Sequence, residues 1–157
     1  MTFEKALEIV LGHEGGWVKD ENDPGGETNY GISKRAYPDI NIKEITRDDA
    51  KSIYRRDYWD AIRADEMPEP VAVAVFDMSV NAGVRTAIRL LQRVVRVTDD
   101  GIIGPVTLAA VNSAKPDEIA VRYAAERLMH YAAIPGWQRY GRGWARRVIE
   151  TTLEGLK

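Results

Sequence analysis

Val71-Ala72-Val73-Ala74-Val75-Phe76-Asp77-Met78-Ser79-Val80-Asn81-Ala82 is apolar on nearly every side. A surface helix carries a polar face; a helix that is apolar all round lies buried. The six residues from Val71 to Phe76 would also suit a buried strand, but the alanine-rich continuity to Ala82 favours a central helix. Met67-Pro68-Glu69-Pro70 breaks the chain before it and Gly83 ends it.

Amphipathic segments surround this stretch. Phe3, Ala6, Leu7, Val10 and Leu11 recur at helical spacing, with Thr2 at the start and Gly15-Gly16 as the stop. Thr46 and Asp49 fit a capping box, followed by an Ala50, Ile53, Tyr54, Tyr58, Ala61, Ile62 stripe to about Arg63. Further helices are expected over 86–95, with Arg89, Arg93 and Arg96 outward, over 105–113, over 117–132 and over 143–156. Asp99-Asp100-Gly101 is a turn, and Gly104-Pro105 places proline at a first helical position. The expected fold is mainly α, with six or seven helices and one long glycine-rich loop, Gly15 to Ser33, containing an ordered segment or short hairpin.

The chain has 157 residues, 22 Lys+Arg and 24 Asp+Glu. This is ordinary globular composition, not that of a disordered or collagen-like chain. With no cysteine, disulfides, thiol catalysis and thiolate metal sites are excluded. Residues 1–80 carry 17 acids and 10 bases; residues 81–157 carry 7 acids and 12 bases. The acidic half argues against a nucleic-acid partner. No stretch approaches the roughly 20 apolar residues of a membrane span, so no insertion is expected. Met1-Thr2-Phe3-Glu4-Lys5 carries no secretory pattern, which predicts synthesis in the cytoplasm.

Chemistry concentrates at His13-Glu14-Gly15-Gly16-Trp17 and the loop after it. Glu14 falls at a helix C-terminus, where exposed carbonyls disfavour an ionised carboxylate. A carboxylic acid kept protonated is what a glycosidase general acid requires. The plainer alternative is a helix-ending glutamate in solvent. Asp23 and Thr28 can fold back towards Glu14 through Pro24-Gly25-Gly26, and paired carboxyls suffice for glycoside hydrolysis. Asp23 before proline is equally good turn chemistry. Neither metal template fits: a calcium loop counted from Asp20 meets Pro24 and Gly31, and His-Glu-x-x-His meets Trp17. No cofactor or metal is expected.

Asp77 and Asn81 lie four apart on one face of the central helix, either lining a cleft or satisfying loop backbone. Trp17 and Tyr30 are the better candidates for stacking on sugar rings. Trp137 and Trp144, near Gly136, Gly141 and Gly143, are expected to pack the last helices. Arg139, Arg142, Arg146 and Arg147 could meet an anionic polymer, with a solvated basic face as the plainer expectation.

Glu14-Gly15-Gly16-Trp17-Val18 followed by Asn22-Asp23-Pro24-Gly25-Gly26-Glu27-Thr28-Asn29-Tyr30-Gly31-Ile32-Ser33 resembles the signature of glycoside hydrolase family 108. That family comprises phage-type endolysins, N-acetylmuramidases and related bacterial proteins labelled secretion activators. Tyr58-Trp59, Phe76-Asp77, Asn81-Ala82-Gly83 and Leu91-Gln92 follow in the family's order. The resemblance implies a lysozyme-like helical fold that cleaves the peptidoglycan glycan strand in bacteriolysis, with Glu14 as catalytic acid. Asp23 and Thr28 are further catalytic candidates, with Trp17, Asn29, Tyr30, Asp77 and Asn81 as candidate substrate contacts. The Glu14, Asp23, Thr28 order is similar to the Glu–Asp–Thr arrangement of phage lysozymes, although the spacing to threonine is one residue shorter. Asp23 would stabilise positive charge, attack covalently, or activate water with Thr28.

Arg89-Leu90-Leu91-Gln92, Asp99-Asp100-Gly101 and Gly104-Pro105 resemble a peptidoglycan-binding repeat. The implied organisation is a catalytic part over 1–85 and a helical part over 86–157, packed on one core. Peptidoglycan is the expected partner, and the chain is expected to be a monomer. As a phage-type enzyme it would reach the cell wall through a holin pore. Two alternatives remain at this stage. One is a lytic transglycosylase giving 1,6-anhydro products; the other is a non-catalytic wall-binding or secretion-accessory protein.

Overall fold

The stretch from Val71 through Ser79 is buried without interruption inside a helix, Glu69–Ala82. The computed structural model describes residues 2–13, 18–19 and 26–157. In chain order its helices are α1 (Thr2–His13), α2 (Arg47–Tyr54), α3 (Glu69–Ala82), α4 (Val84–Val94), α5 (Pro105–Asn112), α6 (Pro116–Ala133) and α7 (Trp137–Gly155). Three short strands, β1 (Val18–Lys19), β2 (Glu27–Asn29) and β3 (Ile32–Ser33), pair antiparallel in that order. The fold is mainly α and lysozyme-like, with α3 as its axis: α1, α4, α6 and α7 all pack against it. One hydrophobic core joins Phe3, Val10 and Trp59 to Leu91, Val111 and Val148.

The aromatic residues at the core's centre meet edge-on, the favoured geometry for ring quadrupoles. Phe3 and Phe76 each lie 5.4 Å from Trp59, at 61° and 76°.

Two local departures from expectation have tertiary causes. The helix starting at Thr46 has its capping box: the Asp49 amide donates to Thr46 Oγ1, and the Thr46 amide to Asp49 Oδ2. It does not run on regularly to Arg63. Arg55–Trp59 is a π turn, with the Asp60 amide bonding Arg55 O at 2.9 Å. The wider turn shifts the buried face by one residue. Trp59 and Ile62 are therefore buried, whereas Ala61 is exposed. The Trp59 indole N–H donates to Asp65 at 2.8 Å.

The last helix starts at Trp137, not Gly143. Gly136 takes φ +96 before it, and the Trp137 indole lies against Gly141, where an added Cβ would sit 2.8 Å from the ring. Gly141 therefore makes room for an aromatic ring.

The Asp100-Gly101 turn is latched by Gln92. Its side-chain nitrogen donates to Asp100 Oδ1, Ile102 O and Thr107 Oγ1, and its oxygen accepts from the Gly101 amide. Gly101 has φ +76, a conformation that favours glycine. Gln92→Leu removes every one of these partners at a buried site. It is expected to cost about 2–3 kcal/mol, measured by denaturant unfolding.

Candidate active site

The small sheet is built from a tight turn. Asn29 pairs with Ile32, leaving Tyr30 and Gly31 between the strands at φ +52 and +76. Positive φ at both central positions is the requirement of a type I′ hairpin, whose twist matches that of the strands. Gly31 adopts it freely, whereas Tyr30 is held there. The Tyr54 hydroxyl donates to Tyr30 O at 2.6 Å. This bond fastens the turn to α2. Tyr54→Phe removes the donor and is expected to lower stability by about 1–2 kcal/mol, visible as a lower Tm.

Two further contacts hold this lobe. The Asn29 side-chain nitrogen donates to Ile42 O at 3.1 Å and Lys43 O at 3.4 Å. Asn29 is 7% exposed. Its side-chain nitrogen is thus committed to backbone, and Asn29 positions β2. The Tyr37 hydroxyl donates to Asp57 Oδ2 at 2.6 Å, tying the segment after β3 to the π turn. The Arg56 guanidinium bonded to Asp57 holds that carboxyl below its usual range, with the Tyr37 bond adding to the effect against burial. Burial, then the bond to Asp57, pushes the Tyr37 phenol well above its usual range.

Thr28 stands in β2 between Val18 and Ser33 and is half-buried. Strand alternation puts it on the sheet face opposite Asn29. Tyr30 is also half-buried. Glu14, Trp17 and Asp23 lie outside the described residues. His13, the residue before Glu14 in the chain, closes α1, and its Nε2 is 3.5 Å from Thr151 Oγ1 of α7.

The two polar residues of the central helix separate. Asn81 is exposed where α3 ends, and its side-chain nitrogen donates to the Tyr131 hydroxyl oxygen. That hydroxyl in turn donates to Met78 Sδ at 3.2 Å. Asp77 is 0% exposed. Arg127 bonds its Oδ2 at 2.7 Å, and Arg147 bonds both oxygens at 3.0–3.2 Å. Burial pushes the Asp77 carboxyl up, but the two guanidinium charges outweigh it and hold the group below its usual range. Asp77 is thus an internal anchor joining α3, α6 and α7, which corrects its expected role as a substrate contact. The same contact corrects Arg147, expected on a solvated face.

The positioning residues Tyr54, Tyr37, Arg127 and Arg147 have no local sequence signal, because each partner lies 20 or more residues away. Among the described residues, no group of three or more His, Asp or Glu could hold a metal ion. No helix there is long and apolar enough to cross a membrane.

The domain is thus mainly helical and lysozyme-like, with a small antiparallel sheet fastened to its helices. The model of the family described as glycosyl hydrolase 108 matches residues 7–83, and one described as "Predicted Peptidoglycan domain" matches residues 86–149. Among solved structures the chain is similar to that of Brucella abortus SagA. The two share 35% identity at a TM-score of 0.91, over 99% of this chain and 94% of that one. A comparison with curated protein sequences gives no match. The chain belongs to glycosyl hydrolase family 108: it is a glycoside hydrolase that acts on peptidoglycan.

Proposed function

We propose that the protein is an N-acetylmuramidase that hydrolyses the β-1,4 bond between N-acetylmuramic acid and N-acetylglucosamine in the glycan strand. Glu14 is its general acid. The observation that carries this reading is the family match over residues 7–83, which spans Glu14, Asp23 and Thr28. Glu14 protonates the glycosidic oxygen as the bond to the anomeric carbon breaks and positive charge builds on the sugar ring. Asp23, with Thr28, is assigned to the opposite side of the reacting sugar. There it stabilises that charge, attacks the anomeric carbon, or takes a proton from the attacking water. Water supplies the hydroxyl of the new reducing end, and Glu14 recovers its proton by the end of the cycle.

The geometry supporting this is the anchoring of the sheet. Tyr54, Asn29 and Tyr37 fix the lobe that carries Thr28 and Tyr30 against the helices. A general acid is effective when the groups around the substrate are held in place. Thr28, Tyr30 and Asn81 supply the substrate contacts within the described residues, and Trp17 a further one. The protein works on peptidoglycan outside the cytoplasmic membrane as a monomer. In a phage setting, access to the wall is through a holin pore.

The test is digestion of purified peptidoglycan in ¹⁸O-labelled water, with products read by mass spectrometry. Hydrolysis by a muramidase gives muramic acid reducing ends carrying the label. Products one water lighter, with 1,6-anhydro ends and no label, would instead establish a lytic transglycosylase. Reducing ends on glucosamine would move the cleaved bond by one sugar.

A further inference from the structure

Three of the surface features among the described residues are two grooves and an aromatic shelf. A groove of about 310 Å³ runs beside Gln92, Asp100 and Thr107, but those side chains bond to one another. An apolar groove between α6 and α7, lined by Val121, Leu128, Ile149 and Leu153, has nothing to indicate its occupant. The third is an aromatic shelf at the start of α7.

Trp144 stands at its centre. Its ring lies 5.8 Å from Tyr140 at 34°, 6.5 Å from Trp137 at 37° and 5.1 Å from Tyr131 at 30°. The core rings meet at 61–81° where Phe3, Tyr54, Trp59 and Phe76 pack edge-on. The shelf rings lie closer to parallel. They are also not sealed: Tyr140 is 50% exposed, and Trp137 and Trp144 are half-buried. The glycines maintain this arrangement. A Cβ at Gly141 would strike the Trp137 indole at 2.8 Å, and one at Gly136 would meet Trp144 and Tyr140 at 3.3 Å.

Cations border the rings. The Arg139 guanidinium lies 5.2 Å from the Tyr140 ring centre. Arg139, Arg142 and Arg146 make no ion pair among the described residues, and Arg142 and Arg146 are exposed. Aromatic faces beside exposed cations fit a sugar polymer bearing carboxylates. The shelf also adjoins the ends of α1 and α3. Thr151, which His13 touches, is seven residues from Trp144 on the same face of α7, about 10 Å along the helix. At its other edge, Asn81 bonds the hydroxyl of Tyr131, whose ring packs on Trp144.

We infer that Trp137, Tyr140 and Trp144, with Arg139, Arg142 and Arg146, form a second binding surface for the glycan strand. Sugar rings lie on the aromatic faces, and lactyl or stem-peptide carboxylates meet the arginines. This rests on the proposed action on the glycan strand, and it assigns a face of residues 86–149 to wall binding.

The test is co-sedimentation with purified insoluble peptidoglycan, using Glu14→Gln as parent so that the polymer is not consumed. Tyr140→Ala is expected to weaken retention about tenfold, as loss of a central aromatic contact does. Tyr140→Phe keeps the ring and is retained like the parent. Gly141→Ala favours the helix yet displaces the Trp137 indole, so it weakens retention in a protein that remains folded. Arg142→Ala with Arg146→Ala weakens retention and flattens its salt dependence. Retention of all these variants at the parent's level would overturn the surface and leave the catalytic reading standing. A parent that is not retained, with a wild type that releases no fragments, would instead remove the catalytic reading on which this one rests.

Discussion

Glu14→Gln is expected to lower the rate of release of soluble glycan fragments about 10²- to 10⁴-fold, the usual contribution of a positioned general acid. The glutamine side chain has the size and planarity of the acid but no proton to give at neutral pH. The leaving oxygen would then depart as an alkoxide, which a glycosidic bond does not tolerate. Peptidoglycan is still bound, so the loss falls on kcat and leaves KM near the wild-type value. Asp23→Asn and Thr28→Val distinguish the roles on the other side of the sugar. A nucleophile or charge-stabilising Asp23 makes Asp23→Asn comparably severe, with Thr28→Val milder. A shared role in holding water makes both losses moderate.

The second large effect is on stability. Asp77→Ala is expected to destabilise the fold by about 3–5 kcal/mol, the cost of breaking a buried ion pair from one side. Arg127 is 0% exposed, and among the described residues its Nε and Nη1 have no hydrogen-bond partner. Asp77 is the buried counter-charge to Arg127, so its removal strands a cation in the core. A domain of this size is held by about 5–15 kcal/mol in all, so Tm falls steeply. Asp77→Leu combined with Arg127→Met recovers much of the loss, because the stranded charge goes with its partner.

The pH dependence follows from the same contact. The folded Asp77 carboxyl lies below its ordinary value. Its stabilisation is therefore complete above about pH 4, the unfolded value. It is lost as pH falls through the lower folded value. Urea unfolding of the wild type between pH 5 and pH 2 is expected to show this decline, with a shallower one in Asp77→Asn.

The readable parts of this sequence are those governed by neighbours in the chain. The capping box at Thr46 and Asp49, the Asp100-Gly101 turn and the proline start at Pro105 each depend on residues a few positions apart. The burial of 71–79 is equally plain, because no polar face interrupts it. What escaped local reading depends on distant partners. Asp77 looks like a cleft residue until Arg127 and Arg147 meet it from 50 and 70 positions away. The π turn at Arg55–Trp59 follows from seating Trp59 between Phe3 and Phe76. Gly141 is an exception: it lies before the helix expected over 143–156, yet it is a helical position covered by the Trp137 indole four residues earlier. Of the candidate site, Glu14, Asp23 and Trp17 were legible as a motif and lie outside the described residues. Asn29, from the same motif, is a support for the sheet.

The most direct test of the central claim compares wild type with Glu14→Gln on purified peptidoglycan, following soluble fragment release while circular dichroism confirms that both are folded. Fragments are expected from the wild type, with a loss of at least about 10²-fold in the variant. Equal release from both proteins would contradict it.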